Sequence, residues 1–298
     1  ALAFTLTLRQ VARMSLAEIQ TLSVVPASPV GVAAPPRAWG EVRLSARRHG
    51  AVSRLGELRQ QGSLKALFPR GAGPALEAVT LNTAGGLTGG DRMAIAARAE
   101  AGARLVLTTQ AAERGYRAAG DPPAEVEARL SVEEGARIDW LPQETILFDG
   151  ARLSRRLSVD LAGTGECLLV EPLLFGRLAH GEEVRGGTFA DRWEVRRDGR
   201  LLFADALRME GDMAAALDRP GVAGGTRAMA SVLFAGAGAE SQLPKVRALL
   251  PPEGGASLIE DGVLFARLVA ADGFALRKVL LPLITALTGM ALPKVWRL

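Results

Sequence analysis

The sequence predicts a mainly β fold of stacked sheets, either an irregular β-helix or a sandwich-like pair, with a pair of helices near the C-terminus. Three observations lead there: short runs alternate apolar and polar residues, glycines punctuate those runs, and helical spacing appears only late in the chain.

In chain order, residues 1–38 read as an N-terminal extension or linker, because Pro26, Pro29, Pro35 and Pro36 interrupt a Ser/Ala/Gly/Val stretch. The first methionine is Met14, and no function is assigned to this segment. The β domain is expected over 39–298, starting near Trp39. Val42, Leu44 and Ala46 alternate with Glu41, Arg43 and Ser45; Met93, Ile95 and Ala97 repeat the pattern; Val126, Ala128, Leu130 and Val132 extend it. Leu153, Leu157, Val159 and Leu161 then alternate with Ser154, Arg156, Ser158 and Asp160, and shorter runs follow at Trp193–Val195 and Leu201–Phe203. Each reads as a half-buried strand, and Asp198-Gly199 is the clearest hairpin turn. No strict internal repeat is present, so a regular solenoid is not predicted.

Leu276, Val279, Leu280, Leu283, Ile284 and Leu287 have helical spacing, with Gly289 placed as a stop. This apolar stripe either completes the core or seats a partner. A second helix is expected around Leu243–Leu250, with Ser241 as N-cap and Pro251-Pro252 ending it.

A chain of 298 residues buries roughly 75% of its unfolded surface without staples. Aromatic residues are scarce, so Leu, Val and Ala must build that core. The net charge of +4 is spread among carboxylates with no dense basic run or aromatic interleaving, which argues against nucleic acid as a partner. Cys167 stands alone, which excludes an intramolecular disulfide and makes the cytoplasm the default compartment. Ala1–Leu8 is apolar without a preceding basic region, and Val279–Leu287 is short and interrupted by Pro282, so neither a secretory signal nor a membrane span is expected.

The catalytic motifs fail on chemistry. Gly85 and Gly90 have phosphate-loop spacing, but Asp91 stands where lysine is needed, and the glycines do not fit a dinucleotide fingerprint. A turn that needs glycine backbone freedom is the expected reading. His49 and His180 are the only imidazoles, His180 in a surface loop, and Cys167 reads as a buried thiol. Three Cys and His residues in total cannot build a tight zinc site. Two alternatives remain. One is a carboxylate-dependent hydrolase using residues such as Glu113, Glu144, Asp149 and Glu171, with Trp140 as a sugar platform; the other is a plain structural β protein.

Five blocks stand in order along the chain: Asn82–Asp91 with its paired glycines, Leu107–Arg117 (LTTQAAERGYR), Trp140–Arg152 (WLPQETILFDGAR), Glu171–Glu182 (EPLLFGRLAHGE) and Leu292–Trp296 (LPKVW). Together they resemble the urease accessory protein UreD (UreH) family. Gln110–Glu113 departs from the Pro-Gly-Ala turn of many relatives. The resemblance implies a mostly β protein that is not itself an enzyme, binds UreF, through it the GTPase UreG, and the urease structural subunits, and holds no tightly bound cofactor. Nickel would be in transit to the urease centre. Dimerisation within that complex stays open.

A carrier that must release Ni²⁺ should avoid imidazole and thiolate and offer oxygen. On that logic Asp91, Thr108, Thr109, Glu144, Asp149 and Glu171 are the candidate nickel-conduit residues. Each also has a structural reading: Asp91 as a turn cap, Thr108 and Thr109 as plain strand, Glu171 as a partner of Arg177.

Overall fold

The computed structural model describes residues 36–70, 73–120 and 122–297; most of the 1–38 segment therefore lies outside the described residues. Residues 37–298 form one unit. It opens with a hairpin of β1 (Trp39–His49) and β2 (Val52–Gly62), followed by β3 (Leu64–Leu67) paired antiparallel to β4 (Leu76–Asn82).

From there the chain winds as a coil with three strands to a turn. β5 (Arg92–Ala99), β6 (Arg104–Thr109) and β7 (Glu113–Gly115) make the first turn, and β8 (Ala124–Val132), β9 (Arg137–Leu141) and β10 (Thr145–Leu147) the second. The third contains β11 (Arg152–Leu161) and the long β12 (Glu166–Phe175), whose last residues Leu173–Phe175 pair with β10. β13 (Thr188–Arg197) continues the first side. Parallel pairing puts Arg92, Glu125, Ser154 and Ala190 side by side. The steps between them are unequal, because the connections differ in length. A solenoid geometry thus exists without a sequence repeat.

Antiparallel strands finish the coil. β14 (Arg200–Glu210) folds back on β13 through Asp198 and Gly199, both at positive φ (48° and 79°), as the short hairpin requires. The short helix α1 (Met213–Asp218) leads to β15 (Ala228–Ala235), which pairs with β12. The helix α2 (Ala239–Leu249) precedes β16 (Gly254–Glu260) and β17 (Val263–Ala270), and α3 (Gly273–Thr288) follows. The result is a seven-stranded sheet ordered β14-β13-β11-β8-β5-β1-β2 and a second sheet running β16-β17-β15-β12-β9-β6-β4-β3.

Two cores share the second sheet. Between the sheets lie Val42, Ile95, Leu130, Leu157 and Val159 from one side and Leu105, Leu107, Ile138, Leu169 and Phe175 from the other. On the far face of the second sheet, Leu168, Val170, Val232 and Leu264 pack against Val246 of α2 and Leu276, Leu280, Leu283 and Ile284 of α3. β12 is therefore covered on both faces, which is why it reads as a nearly unbroken apolar run. Apart from the half-buried Val279, the α3 stripe is buried and completes this second core.

The helix limits differ from the sequence reading. α2 begins at Ala239 behind Gly238 at φ 90°, and the Ser241 hydroxyl donates to the Gly238 carbonyl at 2.8 Å instead of capping the helix. Pro244 sits inside it. α3 begins three residues before Leu276, where Asp272 accepts a hydrogen bond from Ala275 N at 2.8 Å, and ends at Gly289 with φ 63°. Among the described residues no helix is long and apolar enough to cross a membrane.

Leu280→Ala should lower stability by about 2–5 kcal/mol in urea unfolding, the cost of a cavity against the second sheet. Leu280→Asp should collapse the far-UV circular dichroism spectrum, since the charge would enter an apolar cluster; a folded Leu280→Asp protein would mean that the stripe is dispensable to the core.

Candidate functional site

Alternation in a strand assigns every second side chain to the interior. On β11 that phase holds Leu153, Arg155 and Leu157; on β12 it holds Leu169, Glu171 and Leu173; on β13 it holds Phe189, Asp191 and Trp193. Each strand thus carries one charged residue in a row of apolar ones. Arg155 and Asp191 are register partners. Arg155 Nη2 donates to Asp191 Oδ2 at 2.6 Å, and Nη1 donates to Glu171 Oε2 at 2.6 Å and to Thr145 Oγ1 at 2.9 Å. The other Glu171 oxygen accepts from Trp140 Nε1 at 2.7 Å. The guanidinium carbon lies 5.2 Å from the centre of the Phe189 ring.

Only 9% of the Arg155 side chain is exposed, and its Nε is buried without a hydrogen-bond partner. Burial works against its charge, but Asp191 and Glu171 outweigh that and hold the guanidinium above its ordinary pKa. For Glu171 the balance falls the other way: burial raises its carboxyl above the usual range despite Arg155. Such a cluster is costly to bury and survives only because each charge is answered by another.

Arg155, Glu171, Thr145 and Trp140 of this cluster form the floor of a cavity of about 220 Å³ between the two sheets, with Asp191 behind them. Its mouth is the turn Gln110–Arg114 with Gly85 of the glycine block, where Gly85, Gln110, Ala111 and Arg114 are exposed. Glu113 lines the wall between mouth and floor, in register with Thr145. Its oxygens accept from Arg114 N at 2.9 Å and Asn82 Nδ2 at 3.3 Å. Burial pushes its carboxyl upward, and these two donors only partly offset it. Thr109, also on the wall, accepts from Gln143 N at 2.9 Å and donates to the Ala111 carbonyl.

Of the six conduit candidates, Thr109 and Glu171 line this cavity and four do not. Asp91 is a turn clamp: its carboxylate accepts from Thr88 N and Ala38 N, both at 2.8 Å. Thr108 lies buried in β6 with its hydroxyl oxygen unpartnered. Glu144 takes two hydrogen bonds from Arg277, at 2.6 and 2.8 Å. Asp149 accepts from Arg185 N and Gly186 N at 2.9 Å and pairs with Arg117. Burial would raise its carboxyl, but those groups outweigh it and hold it below the ordinary range. Glu171 pairs with Arg155, not Arg177, which bonds Glu182 at 2.7 Å.

The sequence reading missed Arg155 and Asp191 and left Glu113 outside the candidate set. The signal for the first two was their phase: a charge in an inward position needs a counter-charge from a neighbouring strand. The glycine block is a turn, as read. Gly85, Gly86 and Gly90 have positive φ, and a Cβ on Gly86 would stand 2.3 Å from the Tyr116 ring. A strand follows it, with no helix N-terminus for a phosphate.

Trp140 is buried and donates to Glu171, so it offers no sugar platform, and Arg155 bridges Glu171 to Asp191 in place of the acid–base split a hydrolase needs. Cys167 is fully buried, its thiol pushed up to about 12 by desolvation. His180 is exposed. Among the described residues no group of three or more His, Cys, Asp and Glu side chains is placed to hold a metal.

Fold and site together define a three-sided β coil, capped by helices on one face, that keeps a cavity with a few polar groups in a mainly apolar lining between its sheets. The family described as UreD urease accessory protein matches residues 38–297, and the chain belongs to that family. Among its relatives, the urease accessory protein UreD of Ruegeria sp. (strain TM1040) is 49% identical over 95% of this chain and 99% of its own length. That of Rhizobium rhizogenes (strain K84 / ATCC BAA-868) is 51% identical over 89% and 97%, and that of Roseobacter denitrificans (strain ATCC 33942 / OCh 114) is 47% identical over 88% and 96%.

Because the folded state raises the Glu113 carboxyl pKa, the native protein binds this proton more tightly than the unfolded chain, and stability falls as pH rises from the usual carboxyl range through the raised value. Glu113→Gln should remove that slope and gain stability at neutral pH, read as urea midpoints across pH 4–8. Identical profiles for both proteins would place this carboxylate in water.

Proposed function

We propose that the chain is a cytoplasmic scaffold that binds UreF, through it UreG, and the urease apoprotein, and that nickel on its way to the urease active site passes through the cavity behind Gln110–Arg114. The observation that carries this reading is Glu113: a carboxylate lining a cavity with room for an ion, hydrogen-bonded to two neutral donors and to no guanidinium. Family membership supports the urease partnership.

The chemistry of the lining suits a cargo that must leave. Ni²⁺ sits high in the affinity order of divalent metals, and imidazole or thiolate would hold it. The cavity wall contains neither, and its oxygens come from Glu113, Thr109, Thr80 and Gln143 with Glu171 at the floor. Carboxylate and hydroxyl oxygens offset part of the cost of removing water from the ion without trapping it. The candidate set narrows accordingly to Thr109 and Glu171, joined by Glu113, while Asp91, Glu144 and Asp149 hold the surrounding turns.

Co-expression of the chain with UreF, UreG and the urease subunits, followed by size-exclusion chromatography and nickel counting on purified urease, tests the reading. Omission of the chain should leave urease nickel-poor. Glu113→Gln should lower nickel per active site about tenfold, roughly 1.4 kcal/mol in the ion's passage, with the complex still eluting intact. Full nickel loading without the chain would overturn the proposal.

A further inference from the structure

We propose that Arg155 is a tethered counter-ion occupying the cation position of the cavity floor, so that a divalent metal reaches Glu171 only by displacing it and is held weakly as a result. This inference rests on the passage reading above.

The geometry is that of a cation site already filled. The guanidinium stands between two carboxylates on different strands, 2.6 Å from each, and takes the Thr145 hydroxyl as a third oxygen. Without Arg155 the floor would present Glu171 and Thr145, with Asp191 behind them, and no positive charge to balance the two carboxyl groups. Such an oxygen cluster in a low-dielectric interior would retain a divalent ion.

The attachment of Arg155 is built for exchange. A guanidinium bound bidentately to one carboxylate is hard to dislodge; here each carboxylate receives a single bond, Nη1 serving Glu171 together with the Thr145 hydroxyl and Nη2 serving Asp191. Its Nε, buried and without a partner, leaves the present position incompletely satisfied. Glu171, by contrast, is pinned through its other oxygen by Trp140 Nε1. A swing of Arg155 toward Asp191 and the Phe189 ring would therefore expose one Glu171 oxygen to the cavity while the charge of Asp191 stays answered. The adjoining cavity of about 220 Å³ has room for an ion that keeps part of its water shell.

The test compares Ni²⁺ binding by the full-length wild-type chain, Arg155→Met, Arg155→Lys and Arg155→Met with Glu171→Gln. Equilibrium dialysis against NiCl₂ at mildly alkaline pH keeps the carboxylates ionised, and circular dichroism checks each fold. Arg155→Met should bind Ni²⁺ about tenfold or more tightly than wild type. Arg155→Lys, which keeps the charge but loses the fork, should fall between them, and the double variant should return to weak binding. If Arg155→Met fails to fold, the Lys variant alone decides. Unchanged Ni²⁺ affinity in the folded variants would overturn the proposal. In the co-expression assay Arg155→Met should also leave urease poorer in nickel, the metal remaining on this chain. Tighter Ni²⁺ binding with normal urease loading by Glu113→Gln would remove the passage reading while the counter-ion role of Arg155 stands; unchanged affinity with poor loading by Glu113→Gln would do the reverse.

Discussion

Parallel pairing without a slip of phase is the constraint on which the rest of the molecule depends. In β5, β8, β11 and β13 each residue faces its neighbour squarely, so a side chain turned inward on one strand has inward side chains to either side. One such row is Ile95, Ala128, Leu157 and Trp193; the next is Met93, Val126, Arg155 and Asp191. Arg155 cannot turn outward unless Leu153 and Leu157 turn outward with it. Its charge therefore has to be answered indoors, and Asp191 and Glu171 answer it. Met93, Val126 and Arg155 of this second row line the cavity, with Asp191 behind them.

That constraint also explains what could be read from the sequence. Strands with one wet face announce themselves by alternation, as β1, β5, β8 and β11 do. β12 does not, because both its faces are dry, and its one informative residue, Glu171, was legible as a carboxylate but not as the partner of Arg155. The coil itself was hidden by connections of different length. At the site, a list of plausible oxygen ligands could not separate Glu171 and Thr109, which face the cavity, from Asp91, Glu144 and Asp149, which bind backbone amides or arginines. That separation depends on which strand lies beside which, and local sequence does not encode it. Arg155 was within reach, since it occupies the same phase as Leu153 and Leu157.

The five sequence blocks meet in space for the same structural reasons. Leu87 N donates to the Arg114 carbonyl and Tyr116 N to the Leu87 carbonyl, joining the glycine block to the second. Tyr116 meets Phe148 edge-on at 4.9 Å, and Arg177 lies over Phe148 at 4.3 Å, which adds the third and fourth. Arg277 bonds Glu144 and Gln143 and lies over Trp296, bringing in the last. The blocks thus pack against one another, and the first four of them supply most of the residues that line the cavity.

Gln143 and Trp296 carry a consequence for biosynthesis. Gln143 Nε2 donates to the Val295 carbonyl and Trp296 Nε1 to the Leu141 carbonyl, each spanning more than 150 residues. A ribosome that has already released β9 and β10 into solution must still make α3 and the Trp296 turn before those partners exist. Until then the far face of the second sheet is bare and apolar, a state open to aggregation. Maturation of the β9–β10 region is thereby tied to the synthesis of residues 273–296, and loss of that segment would disable the middle of the fold.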